Sequence, residues 1–278
     1  MGDKRGVLSG HMKKAIDRLE NLSGTVNLVI EVVDARAPAA TRCAVVRRVL
    51  PGCRSVTVLS KADLADPAAT SQWIEYLECL GEKALVFPYG KGKHAKKFVG
   101  RIVDYSGGGN RGQPVKAVVA GLPNVGKSTV LNMITGKKRA KVGAVPGVTR
   151  GLQLVNVRDG FLVLDTPGVV SSSAAKGEAG ELPRLLGCIQ ESMFDTSEAA
   201  HILLSYCLPE YAGLLKRFYD LEAEPADAED FFEAVARRRG FLLKGGMLDV
   251  DRVYPLLLRD FATGRVKGIT LERPGEKE

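Results

Sequence analysis

The chain has 278 residues, 45% of them hydrophobic and 26% charged, the balance of a globular protein with room for one large domain or two modest ones. No stretch approaches the roughly 20 uncharged apolar residues of a membrane span, and the first residues lack the apolar core of a secretion signal. Their absence makes a cytoplasmic protein with no membrane partner the expectation; a monomer is expected as well. Five scattered cysteines without a Cys-x-x-Cys pair speak against a disulfide framework or a zinc site. Forty Lys and Arg against 32 Asp and Glu give a net charge of +8, which suits a polyanionic partner without identifying it.

In chain order, a helical pattern over Met12, Ala15, Ile16, Leu19 and Leu22 gives way at Ser23-Gly24 to a β-branched run from Thr25 to Val33. A second buried strand is predicted over 55–59, and Asp66-Pro67 opens a helix through Ile74, Leu77 and Leu80, with a capping side chain followed by proline at the first helical position. A third strand (84–87) and a basic helix (96–105) lead to the Gly-rich linker 106–114. Beyond it come a strand (115–120), a helix (127–136) and two strands flanking the hairpin turn Asp159-Gly160. From Glu181 the apolar residues recur at helical spacing: Leu185, Leu186, Ile189, Leu203, Leu204, Phe231, Phe232, Val235, Leu257, Leu258 and Phe261. Pro255 sits in a first helical turn or marks a kink. The prediction is an α/β domain over 1–175, its sheet covered by helices on both faces, followed by a separate helical domain over 176–278.

Gly121-Leu-Pro-Asn-Val-Gly126-Lys127-Ser128 fits G-x-x-x-x-G-K-S/T between a predicted strand and helix. Its glycines let backbone N–H groups curl around phosphate, Lys127 supplies a point charge and Ser128 can ligate magnesium. Asn124, Val125, Gly126, Lys127, Ser128 and Thr129 are therefore the candidate phosphate-binding residues. Asp165-Thr-Pro-Gly168 ends the strand from Phe161, placing a carboxylate near magnesium and the Gly168 amide towards a γ-phosphate; alone, it is also a common turn. Between the two motifs lies a polar, basic segment, 137–149, read as a loop in which Thr149 could bring its hydroxyl and carbonyl to magnesium.

Ser60-Lys61-Ala62-Asp63 follows the second strand. An aspartate there can accept both N–H groups of guanine's N1/N2 edge, a pairing adenine cannot offer, while the Lys61 stem packs on the base; a strand-end aspartate that merely caps the next segment is the alternative.

The base-reading tetrapeptide precedes the phosphate loop, the reverse of the usual GTPase order. That permutation, together with Gly10-His-Met-Lys-Lys-Ala15, Val33-Asp-Ala-Arg-Ala-Pro38, Gly121-Leu-Pro-Asn-Val-Gly-Lys-Ser-Thr129 and Pro146-Gly-Val-Thr149, resembles the circularly permuted ribosome-biogenesis GTPases of the YlqF/RbgA family over nearly the whole chain. Arg217-Phe-Tyr, Arg239-Gly-Phe and 249–260 resemble that family's RNA-contacting C-terminal part. The resemblance implies a circularly permuted P-loop GTPase domain, GTP and GDP with Mg2+ as ligands, and a late precursor of the large ribosomal subunit and its rRNA as partner, released on hydrolysis. It also implies a catalytic set of His11, Lys127 and Asn124, with K+ held by Asn124 in place of an arginine finger; a turn-capping Asn124 and a surface His11 are the alternatives. Val169 stands where many GTPases carry a water-orienting glutamine.

Two positions depart from the family pattern. Ser60 replaces the usual asparagine, removing a carboxamide that bridges base and phosphate loop, so weaker nucleotide affinity is expected. Ser171-Ser-Ser-Ala-Ala-Lys176 replaces the usual Trp-Pro after the switch. Segment 169–180 is the expected moving hinge, and Asp34 and Arg36 either contact the switch or ribosome or form a salt-bridged strand end. Basic clusters at Lys91, Lys93, Lys96 and Lys97, at Lys137, Lys138, Arg139 and Lys141, and at Arg237, Arg238, Arg239 and Lys244 could meet rRNA phosphates or simply face water. Two rival functions are a nucleotide-gated rRNA-binding scaffold with negligible hydrolysis and a P-loop ATPase, the latter disfavoured by Asp63.

Overall fold

A computed structural model of the protein describes residues 24–89, 92–107, 114–136, 141–144, 153–158, 160–165, 180–188 and 195–275. Among these, seven strands form one sheet: β1 (Leu28–Asp34), β2 (Arg54–Ser60), β3 (Lys83–Val86), β4 (Val115–Ala120), β5 (Lys141–Ala144), β6 (Gln153–Arg158) and β7 (Phe161–Asp165). Their order is β3-β2-β1-β4-β7-β6-β5. The first five in that order run parallel, and β6 and β5 are antiparallel to their neighbours.

Every residue of β1 is buried, as expected of a central parallel strand covered on both faces. Helices α1 (Ala44–Val49), α2 (Pro67–Cys79) and α3 (Lys93–Tyr105) make the crossovers, and α4 (Lys127–Thr135) follows β4. The α2 start is the predicted one: Asp66 accepts the Ala68 N–H at 2.8 Å, with proline at the first helical position. From β1 the chain builds outward through β2 and β3, and from β4 it builds the other way through β7. The carboxyl ends of β1 and β4 thus meet at the switch point of the sheet, where open α/β folds form a crevice.

Two elements correct the sequence reading. β5 lies inside 137–149, which was expected to be loop; its four residues pair with β6 as an irregular edge strand, too short to show a period. α1 was not foreseen, because six residues with three valines carry no helical signature. The predicted helix over 12–22, the linker core 108–113 and the hinge residues 169–179 lie outside the described residues.

The helical part comprises α5 (Glu181–Leu185), α6 (Thr196–Tyr219), α7 (Ala228–Arg239) and α8 (Val253–Ala262). Asp195 and Asp227 cap α6 and α7. Pro209 interrupts α6, and Tyr211 two residues on leaves helical geometry at φ −121°. Pro255 sits in the first turn of α8, where its missing N–H costs nothing. Leu203, Leu204, Phe231, Phe232, Val235, Leu257 and Phe261 are buried, in one apolar cluster with Leu28, Ile30 and Val32 of β1.

This helical part does not stand apart from the sheet. After α8 the chain returns across the loops that follow β1 and β2: the Gly268 N–H donates to Leu64 O (2.7 Å), the Asp66 N–H to Thr270 Oγ1 (3.0 Å) and the Leu271 N–H to Arg36 O (2.7 Å). Trp73 Nε1 donates to Glu272 O at 3.0 Å, and the Glu272 carboxylate takes the Ala39 N–H at 2.8 Å. The predicted boundary at 175/176 falls outside the described residues.

Candidate functional site

The phosphate loop leaves β4 at Gly121, whose φ is +150°; a Cβ there would lie 2.3 Å from Val32 O. Only glycine lets the loop pass this close to β1. Asn124 (φ +58°) and Gly126 (φ +99°) complete a run of positive-φ turns that opens the loop and starts α4 at Lys127, so the N–H groups of the first helical turn face the crevice.

Lys127 Nζ donates to the Leu122 carbonyl of the same loop. Burial holds its ammonium below the usual lysine range, and a phosphate beside it would reverse that. Ser128 and Thr129 are exposed at the helix start. Asn124, expected to meet potassium, donates from Nδ2 to Gly187 O at 2.7 Å. That contact joins the phosphate loop to the turn after α5, and nothing in the sequence announces it. Cys188, next to it, is buried, and its thiol is pushed up to about 12 chiefly by burial.

The base-reading turn follows β2. Ser60 is 2% exposed, and its hydroxyl lies 2.9 Å from Val33 O and also against the Val125 carbonyl. Ser60, standing where the family pattern has asparagine, therefore keeps a hydrogen bond to the phosphate loop through its hydroxyl. Lys61 adopts φ +54°, and its ammonium pairs with Asp34 at 2.9 Å. Asp63 is exposed.

Tyr89, two residues beyond the β3 partner Phe87, faces Asp63 and the Lys61 backbone. Burial first, and the Asp63 carboxylate after it, hold its phenol above the usual range. Sequence reasoning missed Tyr89; its place one strand over from Asp63 follows from the β2–β3 pairing, which brings the Phe87 N–H to Leu59 O at 2.9 Å.

Asp34 and Arg36 resolve in favour of the salt-bridged strand end. Both are 0% exposed, and the pair closes through Nε (3.0 Å) and Nη2 (2.8 Å). Burial opposes the Asp34 charge, but Arg36 and Lys61 prevail and hold the carboxyl below its usual range. Tyr219 is likewise a core residue, 1% exposed, so it is not an RNA contact; Arg217 is exposed. The basic side chains of Lys93, Lys96, Lys97, Arg237, Arg238, Arg239 and Lys244 are exposed. Of these, Arg238 pairs with Asp220 and Arg237 with Glu233, and Arg252 stacks 4.1 Å over the Phe241 ring. Among the described residues no three His, Cys, Asp or Glu side chains converge as a metal-binding group, and no helix is long and apolar enough to cross a membrane. His11, Thr149, Gly168 and Val169 lie outside the described residues, and of Asp165 the structure describes the backbone at the end of β7.

A phosphate loop between a parallel strand and a helix, a base-reading turn on the next strand but one, and the reversed order of the two along the chain define a permuted P-loop nucleotide-binding protein. Residues 116–207 match the family model described as 50S ribosome-binding GTPase. The chain is 32% identical to Ribosome biogenesis GTPase A of Priestia megaterium, over 97% of this chain and 96% of that protein. It also resembles the GDP-bound structure of TM YlqF (TM-score 0.67, 26% identity, 91% of this chain and 97% of that one). The GNP-bound YlqF from T. maritima is similar too (TM-score 0.65, 26% identity, 94% and 99%). The chain belongs to the ribosome biogenesis GTPase A (YlqF/RbgA) family.

Proposed function

We propose that this protein binds and hydrolyses GTP while engaged with a late precursor of the large ribosomal subunit. The observation that carries the reading is the junction of two motifs across 65 residues of sequence: Ser60, heading the base-reading turn, touches the Val125 carbonyl inside the phosphate loop. One rigid edge thus presents Asp63 to a base and the Gly121–Thr129 loop to its phosphates. Guanine is favoured because the exposed Asp63 carboxylate accepts two N–H groups that adenine lacks.

Lys127 exchanges the Leu122 carbonyl for the β- and γ-phosphates, which raises its lowered pKa and stabilises charge as the terminal phosphate leaves. Ser128, with Thr149 and Asp165, would hold Mg2+ largely through the substrate's own phosphates and water. Bound there, the metal neutralises phosphate charge. Asn124 would offer its carboxamide oxygen to K+, and His11 would position the attacking water that the Val169 side chain cannot orient. The exposed basic side chains of α3 and of the α7 end contact rRNA phosphates. The protein acts in the cytoplasm as a monomer, with 1–175 as the GTPase part and 176–278 as the subunit-contacting part.

The test is GTP turnover with and without purified large subunits, in potassium and then in sodium at equal ionic strength. Stimulation by subunits that weakens in sodium is expected. GTP-dependent subunit binding without turnover would replace the enzyme by a scaffold, and loss of binding would remove the ribosomal role.

A further inference from the structure

We infer that Asp34 and Arg36 are positioning residues for the base site, through which α8 of the helical part holds the lysine that underlies the purine. The inference rests on the reading of Ser60 to Asp63 as the base site and adds the scaffold that fixes it.

The chain of contacts is continuous and buried. Lys61 sits at φ +54°, a conformation a lysine adopts only when its surroundings impose it. Its ammonium is drawn inward to Asp34 Oδ2 at 2.9 Å, which tethers the far end of the side chain to the end of β1. Asp34 is 0% exposed and receives three bonds from Arg36: Nε at 3.0 Å, Nη2 at 2.8 Å and the backbone N–H at 3.0 Å. The remaining arm, Nη1, donates to Phe261 O at 2.7 Å in the last turn of α8, and the guanidinium lies 5.0 Å from the Phe261 ring centre. The Arg36 carbonyl in turn accepts the Leu271 N–H at 2.7 Å.

An Asp34–Arg36 pair is already neutral, and three hydrogen bonds close it. A pair that served the core alone has no need of a third charge, yet Lys61 spends its ammonium there instead of in water. The pair therefore acts as an anchor: displacement of α8 pulls on Arg36, Arg36 on Asp34, and Asp34 on Lys61. Coupling of this kind is reciprocal, so guanine nucleotide and the position of α8 stabilise one another.

The test uses the full chain and a fluorescent GDP, with Kd and dissociation rate measured for Lys61→Met, Asp34→Asn, their double variant and Arg36→Lys, and melting followed throughout. Lys61→Met is expected to weaken GDP binding about fivefold to tenfold, and Asp34→Asn and Arg36→Lys about threefold to tenfold, the scale of one lost charge-assisted bond. The double variant should bind within about twofold of the weaker single variant, because both changes cut one chain. Generic destabilisation would not produce that non-additivity. Multiplying effects, or Asp34→Asn and Arg36→Lys binding GDP as the parent does while Lys61→Met is weakened, would overturn the inference alone. Lys61→Met with unchanged GDP affinity would overturn the inference too, since it keeps the stem and removes only the anchored ammonium, whereas Asp63→Ala with unchanged GDP affinity would overturn the base-site reading itself. If Asp34→Asn does not fold, Arg36→Lys with Lys61→Met completes the same cycle. If neither core variant folds, Phe261→Leu, which keeps every charge, must speed GDP release for the inference to stand.

Discussion

Removing the Ser60 hydroxyl tests the junction on which the functional reading rests. Ser60→Ala deletes one buried O–H proton that lies between two carbonyls, Val33 O at 2.9 Å and that of Val125. The site is 2% exposed, so water does not readily replace it. A net buried hydrogen bond is worth about 0.5–1.5 kcal/mol, and a carbonyl left without its partner costs about 1–3 kcal/mol. Because both carbonyls share one proton, the expected loss is about 1–2 kcal/mol in all. At roughly 2–4 °C per kcal/mol for a chain of this size, the melting temperature should fall by about 2–8 °C. The Val125 carbonyl belongs to the phosphate loop, so the loss reaches the ligand as well: GDP affinity should fall about threefold to tenfold, and tenfold corresponds to about 1.4 kcal/mol. Thermal melts and fluorescent-GDP titration of the same preparation read both. A lower melting temperature with unaltered GDP affinity would refute the idea that Ser60 organises the phosphate loop. No change in either would refute the bond itself.

Gly264→Ala should cost about 1–3 kcal/mol by chemical denaturation, since φ is +73° and the new Cβ would lie 2.5 Å from Leu64 Cδ1; Leu64→Ala in the same chain should recover part of it. Tyr89→Phe removes the phenol that faces Asp63 and should narrow the preference for GDP over IDP by about threefold, the scale of one modest hydrogen bond, in competition titrations; an unchanged ratio would dismiss Tyr89 from base reading. Burial opposes the Glu82 charge, but Arg47 and Arg42 hold its carboxyl down at about 2 against an ordinary 4.5. The folded value is the lower one, so this stabilisation is complete above pH 4.5 and is lost as pH falls towards 2. Denaturation of Glu82→Gln should be less steep in that window than the parent's.

Local chemistry made much of this protein legible in one dimension. Buried parallel strands announce themselves as β-branched runs, the α2 start as Asp66-Pro67, and the phosphate loop as a spacing that backbone geometry requires. Each is a property of neighbouring residues, and each was found where the sequence put it. The reversed order of the two nucleotide motifs is also a fact of sequence, and it carried the family. Tertiary structure decided what depends on residues far apart in the chain. That the Ser60 hydroxyl meets the phosphate loop depended on where the fold sets the Val125 carbonyl, 65 residues along the chain. Asp34 and Arg36 were balanced between contact and scaffold until Phe261, 225 residues away, proved to take the last guanidinium arm. Asn124 meets Gly187, and Leu64 meets Gly268, for the same reason: hydrogen bonds between distant loops leave no period and no composition behind. The helical spacing after Glu181 correctly predicted helices. It could not reveal that the chain beyond α8 turns back to brace the base-reading loop, because that brace joins residues far apart in the chain through single backbone groups and side chains that carry no pattern of their own.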